Sequence, residues 1–437
     1  MVNDTTLLLG LDGLGVERVE LDTDGCPVVH VVTMDAHAAR CPSCHTVSTS
    51  PKQQVTTRPR DLRHGGRGIS LLWRKRRWRC RNRECGRGSF TEQVSAVPTR
   101  KRLTTRLRAA CGAAVADRGA TVVQAARDHE VSWPVAMAAF TTHAGQVLPE
   151  QPQPVHVLGI DETRRGRPRW RQNPDTGEWE MIADRWHVGF VDVTGGQGLL
   201  GQVEGRTSTT VTDWLTQRPA AWREQVRYVA IDMCTVFVCA VRAALPQATI
   251  IVDHFHVVQL ANTALTEVRR RTTFTLRARR GRKGDGEWDV RNLLLRNQED
   301  LTERRFAKMW NALVDLGDPG YDILAAYIAK EKLRDLLALA DTGPDRHRIS
   351  QRLFAFYDWC AQTGLPELHR LATTIEKWWP AIEAFLHTKI TNAASEGINR
   401  VVKLTARNAF GFRNPANQRL RVRATTTRRG RGHLRPA

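Results

Sequence analysis

The chain has 437 residues, of which 41% are hydrophobic and 25% charged, with a formal net charge of +21. That length leaves room for two to four domains and at least one large core. No run of 18 apolar residues occurs, which excludes a predicted transmembrane helix, and the N-terminus MVNDTTLLLGLDG is acidic where a signal peptide is basic. A cytoplasmic protein is the expectation, with no membrane partner. Lys plus Arg number 66 against 45 acidic residues, and the excess gathers in Arg58–Arg87, Arg269–Lys283 and Arg413–Arg435. Such a surface suits a long polyanion, because each neutralised phosphate releases counterions.

In chain order, VERVELDTDG and PVVHVVTMDA alternate apolar and polar residues and predict two short strands. Cys41-x2-Cys44 and Cys80-x4-Cys85 then form two pairs, each able to supply half of a tetrahedral four-cysteine site. A domain over 1–95 is therefore predicted as a zinc ribbon with structural Zn2+, His45 and His64 being possible substitute ligands. Between the pairs, WRKRRWRC interleaves Arg74, Lys75, Arg76, Arg77 and Arg79 with Trp73 and Trp78, the pattern of a DNA-facing ribbon. Residues 101–147 lack strand character. KRLTTRLRAACGAAVADRGA, TVVQAARDHE and SWPVAMAAFTTHA read as three helices, Ser132 capping the third with Pro134 in its first turn. A helix-turn-helix is predicted there, its last helix entering the major groove.

LPEQPQPVHV marks a boundary near residue 150. Beyond it, VHVLGIDET is a buried strand, RWHVGFVDVTGGQGLLGQVEG a hairpin, TSTTVTDWLTQRP a helix, VRYVAIDMC a strand, TVFVCAVRAALP a helix and ATIIVDHFHVV a fifth strand. That order is the order of a ribonuclease H-like mixed sheet, in which the first and fourth strands lie side by side. Asp161 and Asp232 would then project from adjacent strand ends and recruit a cation. The predicted catalytic domain covers 153–257 and 386–424, interrupted by an all-α insertion at 258–385 and followed by a basic, disordered tail at 425–437. The whole is a multidomain α/β chain.

The helix TNAASEGINRVVK carries a single acidic residue, Glu396. Asn392, Glu396, Asn399, Arg400 and Lys403 fall on one arc, while Ile390, Ala394, Ile398, Val401 and Leu404 take the opposite side, predicted as the buried one. The polar arc is read as presenting Glu396 to the two aspartates, with Asn392, Asn399, Arg400 and Lys403 against a DNA backbone. Glu162 is an alternative ligand to Asp161, and Asp253 competes with Asp232. His254, Trp378 and Trp379 read as core.

GIDE at 159–162, IDM with LPQATIIVDHFHVV, and TNAASEGINRVVKLTARNAFGFRN together resemble the transposases of the ISL-three insertion-sequence family. The resemblance covers nearly the whole chain in order. It implies a DDE triad of Asp161, Asp232 and Glu396 holding two Mg2+ ions (or Mn2+). It also implies a supporting Asp253-x2-His256 element, strand cleavage and strand transfer, and double-stranded DNA partners, both terminal inverted repeats and target. Pairing two ends calls for a homodimer or higher assembly in the synaptic complex. The rival readings are a non-catalytic zinc and helix-turn-helix DNA-binding regulator derived from a transposase, and a junction-resolving nuclease on the same fold.

Overall fold

A computed structural model describes residues 4–183, 185–428 and 430–433. The chain divides into two units, one of residues 1–150 with 406–437, the other of residues 151–405.

In the first unit, a short helix α1 (Asp4–Leu9) precedes five strands: β1 (Leu14–Leu21), β2 (Pro27–Thr33), β3 (Pro51–Thr57), β4 (Ser70–Arg79) and β5 (Ser89–Thr91). They form one sheet of order β1-β2-β4-β3, with β5 on β4. The two tryptophans of β4 are five positions apart, so they leave the strand on opposite sides. Trp73 enters the sheet core with Leu71, Val29 and Val31, and Trp78 packs against Phe90 and the cysteine loops. Both are buried, so the predicted alternation of bases and aromatics along a DNA face reduces to its basic residues.

Three helices follow: α2 (Thr105–Ala116), α3 (Val122–Asp128) and α4 (Trp133–Val147). Thr104 and Thr121 cap the first two through Leu107 N–H and Gln124 N–H. Ser132 occupies the same position before α4 but makes no side-chain cap bond there. Gly112 lets α2 and α4 touch, since a Cβ on it would lie 2.6 Å from the Ala139 carbonyl oxygen.

The second unit holds a sheet of order β10-β9-β6-β11-β12. Its strands are β6 (Val157–Arg164), β9 (Trp186–Asp192), β10 (Leu199–Glu204), β11 (Tyr228–Ile231) and β12 (Thr249–Val252). Central β6 pairs antiparallel with β9 and parallel with β11. A separate ribbon, β7 (Arg169–Gln172) with β8 (Trp179–Ala183), is inserted between β6 and β9. Helices α5 (Ser208–Thr216), α6 (Ala220–Glu224) and α7 (Thr235–Ala244) link the later strands.

The fifth strand ends at Val252, earlier than predicted. Asp253 accepts a hydrogen bond from Phe255 N–H at 3.0 Å and starts α8 (His254–Arg277), which runs without a break through the predicted insertion boundary. Short α9 (Gly286–Asp289) and α10 (Arg291–Leu294) lead to α11 (Glu303–Val314), α12 (Asp318–Ala338), α13 (Arg346–Gln362) and α14 (Pro366–Thr388). This helical segment shares one continuous core with the sheet: Ile231 and Val252 belong to the same cluster as Leu333, Ile375 and Phe385. Trp378 lies in that core, with Trp379 packed against it. Several arginines of the Arg269–Lys283 run are held internally, Arg271 by Glu367, Arg277 by Glu287 and Arg279 by Asp285.

The chain ends with α15 (Ala393–Asn408) and α16 (Pro415–Thr426). The sequence predicts that 386–424 belongs to the sheet domain, but α16 packs on α2 and α4. The reason is the Arg421 guanidinium, buried and donating to the carbonyls of Val115 and Ala120. Arg431, in the predicted disordered tail, pairs with Asp117. Residues 434–437 of that tail lie outside the described residues. Among the described residues, no helix is long and apolar enough to cross a membrane.

Candidate functional site

β6 and β11 pair in parallel up to Ile160 and Ile231, so Asp161 and Asp232 stand next to each other at the following position. Asp161 is buried, at 8% exposure. Burial first, and then the negative charge of Asp232, push its carboxyl up to about 7. Asn399 Nδ2 donates to Asp161 Oδ2 at 2.5 Å, and Glu162 N–H to Asp161 Oδ1 at 2.7 Å. Asp232 Oδ1 lies 2.9 Å from His256 Nε2, and that contact raises the imidazole above its ordinary value. Asn392 Nδ2 reaches both the Ile160 carbonyl and Asp232 Oδ1 at 3.4 Å.

Helix α15 is strapped across β6. Gly159, Asp161 and Thr163 share one face of the strand, and each meets the helix. A Cβ on Gly159 would fall 2.3 Å from Ser395 Oγ, while Asp161 and the Thr163 hydroxyl both bind Asn399. Asp253, buried and held below the usual carboxylate range by its donors despite burial, takes Asn392 N–H at 2.9 Å. One carboxylate thus fixes the start of α8 and the start of α15 together. Glu396 lies four residues after Asn392 and three before Asn399, on the arc that reaches the aspartates. It is half-buried, whereas Arg400 and Lys403 on the same arc are exposed.

The buried side of α15 is not the one the apolar periodicity indicates. Asn392, Ser395, Val402 and Thr405 are buried, while Leu404 is 54% exposed and Ile398 and Val401 are half-buried. Close approach to Gly159 admits only small or hydrogen-bonding side chains, and this requirement outweighs hydrophobicity. The alternation Gly159, Asp161, Thr163 is the signal in sequence; Gly159 enters the reading only within the GIDE motif, and Thr163 not at all. Gly159→Ala should destabilise the protein by about 1–3 kcal/mol through overpacking, read by urea denaturation. Ser395→Gly in the same chain should recover part of the loss.

No choice of one carboxylate oxygen from each of Asp161, Asp232 and Glu396 brings all three within 4.8 Å of one another. Among the described residues, the group of three or more His, Cys, Asp or Glu whose ligand atoms all lie within 4.8 Å is Cys41, Cys44, Cys80 and Cys85. His45 and His64 take no part in it. The Cys44–Cys80 and Cys41–Cys85 sulfurs are 3.6 and 3.9 Å apart. Four sulfurs around one zinc at about 2.3 Å would stand about 3.8 Å from each other, so the donor set fits zinc in kind and in spacing. All four corners are filled by sulfur, as in a structural site.

On β4, Arg74, Arg76 and Arg79 are exposed and Lys75 and Arg77 half-buried. Three are engaged internally, Arg74 with Glu17, Arg76 with the buried Glu92 and Arg77 as a donor to Ser89 Oγ. Lys75 and Arg77 also border a groove of about 680 Å³ that Arg87, Arg100, Lys101 and Arg102 line. Near Asp232, a cavity of about 300 Å³ is bordered by His256, Gln259 and Thr263.

A family model described as Transposase, that of the ISL-three group, matches residues 158–422. A second, described as zinc-finger of transposase IS204/IS1001/IS1096/IS1165, matches residues 37–85. The transposase for insertion sequence element IS1001 of Bordetella parapertussis is 26% identical over 95% of this chain and 96% of its own length. The transposase for IS1557 of Mycobacterium tuberculosis is 32% identical over 44% of this chain and 46% of its own. Among solved structures, the Drosophila P element transposase strand transfer complex aligns with TM-score 0.40 at 10% identity, covering 74% of this chain and 92% of that one. With a family match over more than half its length and cysteines spaced for zinc, this chain belongs to the ISL-three family of transposases.

Proposed function

We propose that this transposase binds the terminal inverted repeats of its insertion sequence and cuts and rejoins DNA at Asp161, Asp232 and Glu396. The observation that carries the reading is the pairing of two aspartates on neighbouring parallel strands, with α15 held over them by Asn392 and Asn399. The order β10-β9-β6-β11-β12 is that of a ribonuclease H-like sheet, which supports the same assignment.

Asp161, Asp232 and Glu396 would together hold the two divalent cations, Mg2+ or Mn2+. The fit is electrostatic: a carboxyl pushed up to about 7 by burial and a neighbouring carboxylate is relieved by a cation between them. When bound, such ions activate the attacking oxygen and stabilise the leaving one. The chain's own groups do the positioning. Asn399 and Glu162 N–H orient the Asp161 carboxylate, His256 orients Asp232, and Asp253 holds α15 in place. Arg400 and Lys403 are placed to contact DNA phosphates. In the first step water attacks phosphorus and a 3′ oxygen leaves as a 3′-hydroxyl. In the second, that hydroxyl attacks a target phosphate and displaces its 3′ oxygen.

The N-terminal unit would supply end recognition. Helices α3 and α4, joined by four residues, read as a helix-turn-helix that exposes Trp133, Thr141 and Thr142 on α4. The Lys75–Arg77 groove would hold backbone phosphates without reading sequence, and two ends call for at least a dimer. DNA bearing the repeats that flank the gene tests this reading. Full-length protein with Mg2+ should release 3′-hydroxyl ends and with Mg2+ omitted should not. Tight end binding without nicking in either Mg2+ or Mn2+ would instead favour the regulator.

A further inference from the structure

The ribbon β7–β8 has no role in the reading above. We propose that it is a stacking platform for unpaired bases of the DNA end engaged at the carboxylate site, an inference that rests on the proposed cutting function. Trp170 pairs across the ribbon with Met181, and Gln172 with Trp179, so Trp170, Met181 and Trp179 share one face. They are 53%, 48% and 64% exposed, and Ile182 on the other face is 51% exposed. A two-stranded ribbon with both faces in water is at best marginal, yet its turn is well built. Asn173 Oδ1 accepts from Asp175 N–H at 2.9 Å, Asn173 N–H donates to the Glu178 carbonyl at 2.8 Å, and Gly177 supplies a φ of +72°. The tryptophans are therefore presented on a shaped support.

Charge selects the occupant. Residues 164–171 read RRGRPRWR, five arginines with no acidic residue. At the root of the ribbon, the guanidiniums of Arg164 and Arg206 lie 5.3 and 5.0 Å from the Trp186 ring centroid. An arginine run leading into the exposed Trp170 and Trp179 fits a ligand with phosphates and flat aromatic bases, and base–aromatic stacking is independent of sequence. Position selects the region of that ligand. The ribbon follows the strand that carries Asp161 after four intervening residues, and Trp170 is nine residues beyond Asp161, at most about 30 Å of extended chain. This is less than one turn of duplex from the reacting phosphate, where a cleaved or frayed end offers unpaired bases. A second copy of the chain is the competing occupant.

The test uses full-length protein with Mg2+ omitted, so that nothing is cut. The probes are two duplexes of the terminal repeat, one blunt and one with a short unpaired tail carrying 2-aminopurine, whose fluorescence reports stacking. Trp170→Ala with Trp179→Ala should weaken binding of the tailed duplex by about tenfold or more and abolish the 2-aminopurine quench. Blunt-duplex affinity should stay within about twofold, and Trp→Phe at both positions should keep most of the tailed-duplex affinity. Because both residues are exposed, folding is not at stake, and the thermal transition verifies it. Unchanged tailed-duplex binding would overturn the proposal, as would equal loss for both duplexes. So would a sedimentation shift from dimer to monomer with DNA binding intact, which would assign the face to a second copy. Continued cleavage by Asp161→Asn would sink the catalytic reading while leaving this binding result to be judged on its own.

Discussion

Glu396→Gln, Asp161→Asn and Asp232→Asn should each lower strand cleavage in Mg2+ by at least about 10³-fold, while affinity for the terminal repeats changes little. The expectation follows from placing all three carboxylates against the divalent ions, since removing one charge from a metal clamp loses several kcal/mol of transition-state stabilisation. End binding is assigned to the other unit, which has its own cores. Asp161→Asn carries a second readout. With the folded carboxyl pushed up to about 7 from an ordinary 3.8, the native state binds the proton more tightly than the unfolded chain does. The metal-free protein therefore loses stability as pH rises from about 4 to about 7, and the full cost applies above that. Each pKa unit is worth about 1.4 kcal/mol, so the amide should stabilise the metal-free protein at pH 8 by on the order of 2–4 kcal/mol. That gain should be small near pH 4. Added Mg2+ should raise the melting temperature of the wild type and not of the variant. Equal cleavage by wild type and Glu396→Gln would remove Glu396 from the site and leave the polar arc of α15 as a DNA-facing surface only.

Periodicity and spacing carried much of this architecture. The cysteine pairs are legible because metal ligands need fixed local spacing, and the sheet strands because a buried strand must be apolar. Where the chain obeys a pairwise rule, the reading fails. On α15, periodicity finds an apolar arc but not which arc is buried; Gly159 on β6 decides that in favour of Asn392 and Ser395. Asp253 looks like a residue at a strand end, yet it caps α8 and holds Asn392, 139 positions away. The ribbon β7–β8 is silent in sequence because RWRQ and WEMIA bury neither face. Arg421 reads as one more cation of a basic tail, and only its contacts with Val115 and Ala120 make it internal.

Removing zinc should unfold the cysteine lobe and abolish end recognition while the second unit keeps its own thermal transition. The lobe around the four cysteines has few other means of support. Its buried apolar side chains are Cys41, Trp78 and Phe90, too few to hold two loops against their conformational entropy. Binding of structural zinc is worth about 10–16 kcal/mol in small domains, comparable to the whole stability of a typical fold. The purified protein should therefore carry one zinc per chain by elemental analysis. Cys80→Ser should lose that zinc, and its loss of affinity for the repeats should be at least about 100-fold. The second unit, with its single core running from Ile231 to Phe385, has no part in the cysteine site and should melt as before. The same logic bears on every cleavage assay of this protein. A strong chelator withdraws zinc as well as Mg2+, so inactivity under EDTA cannot by itself be charged to the carboxylates. Omitting Mg2+ while keeping zinc bound separates the two, and cleavage restored by Mg2+ alone would assign the requirement to Asp161, Asp232 and Glu396. A Cys80→Ser protein that lacks zinc yet binds the repeats as tightly as wild type would sink the claim that the cysteine lobe supports recognition.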